Sequence, residues 1–301
     1  NRKIVIVSMP LLIGTLPSFG GAYFSAPMVD ESTKGLRMSQ EEKGFINFWF
    51  RHPWEYVLPL YPGILLASAI SGTELRELIL ANLPYAFVML VAGLYLSMRE
   101  IKGKVKSVEV SGRGLLSFLP IVAIILLVMV FKAELHLALI ILVIGLFVFY
   151  RYPVSRILSA LKYGFAFDVV LLVLGVMLLK ELMEGTGAVK NLGDFFISTG
   201  IPVMPLLFIL PFISGFLTGV TVGSVGSTFP LILHLLHGSP VGAISFAFAS
   251  AFLGVLLSPV HVCLVLKREY FNADIWGIYK KVLPACALVF LVAVIEYLIL
   301  R

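Results

Sequence analysis

The segment FRHPWEYVLP, residues 50–59, sets Arg51, His52 and Glu55 within an otherwise apolar stretch. Arg51 is a permanent cation with a planar donor fork, suited to fixing an anionic group. His52 changes charge near neutral pH, and Glu55 offers a second proton acceptor. The chemistry to expect is capture of an anion by Arg51, with a proton passed to His52 or Glu55. Arg51 and Glu55 stand four residues apart, a spacing that pairs opposite charges on one helical face, although Pro53 between them would distort the turn. In the competing arrangement the cluster lies at the inner membrane interface, where Arg51 snorkels and pairs with Glu55.

A second constellation is built of hydroxyls and glycines. TGVTVGSVGSTFP (218–230) lies between oily runs, and SFGGAYFSAP (18–27) aligns with its last ten residues without gaps. Ser18, Gly20, Gly21 and Ser25 fall opposite Thr221, Gly223, Ser224 and Thr228, with Ser227 beside the last of these, and a proline closes each copy. Glycines permit close backbone approach. The hydroxyls, with amides and carbonyls freed at helix ends, would hold an ion or a small anion. LPLYPGILL (58–66) and SPVHVCLVL (258–266) match at nearly the same offset, placing His261 opposite Tyr61, and each is followed at one interval by a further proline, Pro84 or Pro284. Asp168 is one more acid near the start of a span. A potassium filter, which TVGSVG resembles, needs a ring of like loops, and SFGGAY would not complete one.

The elements that must position these residues follow from composition. The chain has 301 residues, 59% hydrophobic and 13% charged, with mean hydropathy +1.01. A soluble domain carries roughly 25% charged residues, so an all-α polytopic membrane protein is expected. Runs long enough to cross a membrane recur at 45–71, 75–98, 115–131, 135–150, 165–183, 240–266 and 282–300, and two interrupted stretches, 4–28 and 203–234, read as hairpins. Placing the basic linker 101–114 in the cytoplasm puts most of the 23 Lys and Arg residues inside, as the positive-inside rule requires, and leaves the C-terminus outside. The net charge of +6 is then a matter of topology and calls for no nucleic-acid partner. In this orientation the two copies are inverted. Inverted repeats with broken helices characterise many secondary transporters, and irregular backbone survives at membrane depth only when buried in protein or lining a cavity.

The division expected is a first inverted repeat over 1–100, the linker, and a second over 115–301. The first copy lacks what precedes the hairpin in the second, so roughly 80 to 100 residues are expected upstream of Asn1. Ser39 and Glu42 form a capping box for the helix that follows. PVSRILSALKYG (153–164) and REYFNADIWGIYKK (268–281) have the character of interfacial helices. No His, Cys, Asp and Glu pattern along the chain has metal-ligand spacing, and no HExxH or GxSxG motif occurs. No metal, catalytic residue or cofactor is therefore expected. An intramembrane hydrolase would have to pair Ser224 or Ser227 with His261.

LPSFGGAYFSAPMV, FINFWFRHPWEYVLPLYPG and LSPVHVCLVLKREYF resemble an uncharacterised prokaryotic integral-membrane family, domain of unknown function 401, within the ion transporter superfamily. That group includes citrate, gluconate, lactate and dicarboxylate permeases. The resemblance covers the whole chain. It implies two inverted repeats, re-entrant hairpins at 4–28 and 203–234, helices broken at Leu58–Gly63 and Ser258–Cys263, and a homodimer in the cell membrane. The dicarboxylate members carry Ser-Asn-Thr at both hairpin tips, where this sequence has SFGG and VGSVGST. The function expected is secondary transport of a small organic or inorganic anion by elevator-like alternation, driven by protons or sodium. A cation/proton antiporter using Glu55, His52 and Asp168 is the alternative.

Overall fold

In the computed structural model, residues 2–17, 21–98, 119–164, 201–236 and 240–300 are described, with scattered positions between 165 and 200. The described residues are helical and include no strand. They fall into two units, 1–109 with 195–301, and 110–194.

The larger unit opens with α1 (Arg2–Ile13), α2 (Gly21–Thr33) and α3 (Gln40–Trp49). A 3-10 turn follows over Pro53–Tyr56, then α4 (Pro62–Ser71) and α5 (Leu75–Met98). The smaller unit contains α6 (Leu119–Met129) and α7 (Leu135–Phe149), which pack on each other, and α8 (Val154–Gly164), which covers the first expected interfacial segment. The larger unit resumes with α9 (Val203–Thr218), α10 (Thr221–His234), α11 (Val241–Leu257), α12 (Val262–Phe271) and α13 (Ile275–Leu300). The element order of α1 to α5 thus returns in α9 to α13. Packing crosses between the two series, with α10 against α4 and α2 against α12.

Among the described residues, three helical stretches are long and apolar enough to cross a membrane: Leu75–Ser97, Val241–Phe271, which runs through the α11–α12 break, and Ile275–Leu300. Their surroundings differ. From Gly242 to Leu256 every residue of α11 is buried, the condition of a helix apolar all round that sits at the centre of a protein. By contrast α5 buries Leu78, Tyr85 and Met89 on one side while exposing Leu80, Leu83, Phe87, Val91 and Leu94 on the other. A helix apolar on both its protein side and its open side suits lipid as the outer solvent.

Small residues allow the central crossing. A methyl group added at Gly254 would run into the Phe212 carbonyl, and one at Gly215 into the Ala251 carbonyl, so α9 and α11 touch backbone to backbone, as tightly packed membrane helices do. The Ser39 capping box forms as expected: the Glu42 amide donates to Ser39 Oγ at 3.2 Å and the Ser39 amide to Glu42 Oε2 at 3.0 Å. Ser39→Ala should lower stability by about 1 kcal/mol, read as a fall in thermal midpoint of the detergent-solubilised chain.

Two expected boundaries are corrected. The first helix break is longer and earlier than Leu58–Gly63: α3 stops at Trp49 and α4 starts only at Pro62. Proline at position 53 cannot donate a helical hydrogen bond, and the chain turns through the 3-10 segment instead. Its carbonyls find other partners, with Asn82 Nδ2 donating to Tyr56 O at 3.0 Å. The second break falls where expected, with α11 ending at Leu257 and α12 beginning at Val262. Residues 268–281 do not form one interfacial helix. They finish α12, turn at Asn272 with φ of 48°, and begin α13.

Candidate functional site

The long first break carries the charged cluster with it. Arg51 and His52 are therefore not on a helical face; they lie in the break and are buried, 4% and 2% exposed. That burial excludes the snorkelling arrangement. Indole and phenol donors fasten the break to α1 and the turn after it, Trp54 Nε1 donating to Leu11 O at 2.7 Å and Tyr61 OH to Gly14 O at 2.5 Å.

The two breaks meet. His52 Nε2 lies 3.1 Å from His261 Nε2, across 209 residues of sequence. Each imidazole is fixed from behind: His52 Nδ1 lies 2.5 Å from the Phe48 carbonyl, and His261 Nδ1 2.8 Å from the Gly219 carbonyl. A carbonyl can only accept, so both Nδ1 atoms carry the hydrogen. Glu55 Oε1 is 3.9 Å from His52 Nε2, and Thr221 Oγ1 donates to Glu55 Oε2 at 3.1 Å. Arg51 Nη1 approaches Cys263 Sγ at 3.8 Å.

These groups border a cavity of about 140 Å³. Tyr61, Pro62 and Gly63 bring the first turn of α4 to its wall, Val220, Thr221 and Val222 that of α10, and His261 with Cys263 that of α12. Close approach makes this possible at Gly219, whose φ of +66° is left-handed and whose added methyl would touch the His261 backbone at 3.0 Å. The positive ends of three helix dipoles and the Arg51 guanidinium therefore face one small space.

Several expected binding groups point elsewhere. The run 221–230 is helical, and the irregular segment shrinks to Gly219 and Val220. Inside that helix Thr228 Oγ1 donates to Ser224 O at 2.7 Å and Ser227 Oγ to Gly223 O at 2.8 Å, the local back-bonding by which hydroxyls satisfy themselves in helices. Ser224 donates to Pro211 O at 2.7 Å. Neither Ser224 nor Ser227 meets His261, whose two ring nitrogens are engaged by Gly219 O and His52. Gly223 packs against Thr218, Gly21 begins α2, and Ser25 is buried within it. Ser18, Gly20 and Asp168 lie outside the described residues. Of the expected set, the structure brings together Arg51, His52, Glu55, Tyr61, Thr221 and His261.

Three features were missed. His52, His261 and Cys263 place one ligand atom each within 4.8 Å of the others. The grouping is spatial and drawn from both breaks, so it leaves no spacing signature along the chain. Lys267, assigned to a basic inner segment, is fully buried with its ammonium 5.1 Å from the centre of the Phe48 ring. A separate polar knot joins α5, α11 and α13, where Ser245 Oγ donates to Asn82 Oδ1 at 2.8 Å and lies 3.0 Å from Tyr85 OH and 3.5 Å from Glu296 Oε1.

The model of the family described as protein of unknown function DUF401 matches residues 2–300. The chain belongs to that family. Both helix breaks and every wall of the cavity fall inside the DUF401 match. No curated protein matches the sequence.

Proposed function

We propose that this DUF401 protein is a secondary transporter of a small anion in the cell membrane. Its two helical series act as inverted repeats, α1–α2 and α9–α10 as re-entrant hairpins, and the cavity at the meeting of the breaks as the solute site. The observation that carries this reading is the convergence of three helix N-termini and Arg51 on one small space. Charge of that sign and geometry favours an anion. The volume sets a limit on size: a cavity of about 150 Å³ accommodates benzene, so the solute has few non-hydrogen atoms. Alternation between two near-equivalent conformations follows from the repeat, coupled to a proton or sodium. The linker 101–114 would be cytoplasmic, the C-terminus outside, and the assembly a homodimer surrounded by lipid.

Bound ligand stabilises the folded state by RT ln(1 + [L]/Kd), which makes thermal shift the first test. A panel of small carboxylates and inorganic oxyanions, run with and without sodium at two pH values, is expected to give at least one concentration-dependent rise in midpoint. No response to any anion under any condition would reject the anion reading. Cation-dependent proton flux in proteoliposomes without solute would replace it with the antiporter.

A further inference from the structure

The two imidazoles at the break junction pose a problem that hydrogen bonding between two neutral rings of their tautomer does not solve. Both Nδ1 atoms donate to backbone carbonyls, Phe48 O and Gly219 O. In neutral rings of that tautomer both Nε2 atoms are acceptors, yet they face each other at 3.1 Å. Two lone pairs at that distance repel unless something positive lies between them. Nearby stand two further donors of the kind metals prefer, Cys263 Sγ, within 4.8 Å of both nitrogens, and Glu55 Oε1, 3.9 Å from His52 Nε2.

We infer that His52, His261, Cys263 and Glu55 form a binding site for one divalent transition-metal ion of the zinc class. The geometry fits before any movement is required of the imidazoles. Two nitrogens bound tetrahedrally at about 2.0–2.1 Å from zinc lie about 3.3 Å apart, close to the observed 3.1 Å. Sulfur and carboxylate ligands sit at about 2.3 Å and 2.0–2.2 Å from zinc, so the Cys263 side chain, within 4.8 Å of the imidazoles, and that of Glu55, 3.9 Å from His52 Nε2, must both move inward to ligate. The donor set of two imidazoles, a thiolate and a carboxylate matches a borderline-soft ion and not sodium, magnesium or calcium, which take oxygen.

The surroundings supply what metal sites use beyond the ligands. Each imidazole has its far nitrogen tied to a carbonyl, which fixes the ring orientation and leaves Nε2 free to ligate. Thr221 Oγ1 donates to the other oxygen of Glu55 at 3.1 Å, and Arg51 Nη1 donates to Cys263 Sγ at 3.8 Å. A dication balanced by one thiolate and one carboxylate adds no net charge, and Arg51 keeps the adjacent space positive. The site is thus compatible with the anion reading of the cavity but does not rest on it, because metal binding is measured without solute.

Cobalt(II) is the probe. Titrated into the purified, chelator-treated full chain without added anion, it should bind one per chain and give visible d–d bands of tetrahedral intensity with a sulfur-to-cobalt charge-transfer band, all displaced by zinc. The chain has two cysteines, Cys263 and Cys286, and both are buried free thiols. Cys286→Ala should retain the charge-transfer band, and Cys263→Ala should lose it while eluting as the parent does. His261→Gln should weaken binding at least tenfold. Should Cys263→Ala fail to fold, protection of Cys263 from alkylation by zinc in the Cys286→Ala protein reads the same ligand. Absence of tetrahedral cobalt bands, a sulfur band that depends on Cys286, or alkylation unaffected by zinc would each overturn the inference, leaving a shared proton between the two rings.

Discussion

Arg51→Gln is expected to weaken anion-dependent thermal stabilisation at least tenfold in anion concentration and to reduce uptake into proteoliposomes at least tenfold. Among the described residues the guanidinium is the one permanent cation on the cavity wall, and a charged hydrogen bond contributes about 1.5–3 kcal/mol, or ten- to hundredfold in affinity. Helix N-termini of α4, α10 and α12 would remain, so residual weak binding is the expected pattern, not complete indifference to anions. Arg51→Lys should recover only part of the loss, because an ammonium reproduces the charge without the planar fork. The decisive comparison is the midpoint without ligand. If Arg51→Gln destabilises the ligand-free chain and leaves anion response intact, Arg51 is a structural cation and not a binding group.

The second large effect lies away from the cavity. Gly254→Val should unfold or severely destabilise the chain, because the new side chain begins with a carbon pressed against the Phe212 carbonyl, which is backbone. Overpacking typically costs about 1–3 kcal/mol and more where no side chain can give way. Gly145→Ala provides the contrast: its methyl meets nothing within 4 Å, and replacing glycine in a helix should raise stability by up to about 1 kcal/mol. The pair is read by thermal midpoint in detergent and by the fraction of chain that elutes without aggregation. An unchanged midpoint for Gly254→Val would mean that α9 and α11 do not cross where the fold places them.

How much of this was legible beforehand depends on the range of the interaction. The Ser39–Glu42 cap is local, and its two hydrogen bonds form as the spacing requires. The second break, which the family resemblance implies at Ser258–Cys263, lies there, with α11 ending at Leu257 and α12 starting at Val262. The first break was misplaced because Pro53 was weighed as a kink within a helix, when the chain there abandons helix from Phe50 to Tyr61 except for one 3-10 turn.

Legibility failed for the site itself in two opposite ways. Hydroxyls in Thr221–Thr228 looked free because composition cannot show that helical carbonyls one turn back will absorb Ser227 and Thr228. Cys263 and Lys267 looked incidental because their partners, Arg51 and Phe48, come from more than 200 residues away. Whereas Ser224 reaches only the neighbouring α9, Thr221 reaches the first break, donating to Glu55. It does so because it sits in the first turn of α10, where no preceding helical carbonyl is available to accept from it.

Alternating access makes a demand on Cys263 that the other features do not. Its thiol borders the cavity, and the residue is 8% exposed, so a membrane-impermeant maleimide must reach it through the cavity. In chelator-treated proteoliposomes of the Cys286→Ala chain, labelling from the outside and from the lumen should both proceed, and an anion that stabilises the protein should slow both. Labelling from one side only, at a rate indifferent to that anion, would contradict a solute site exposed in turn to the two faces of the membrane.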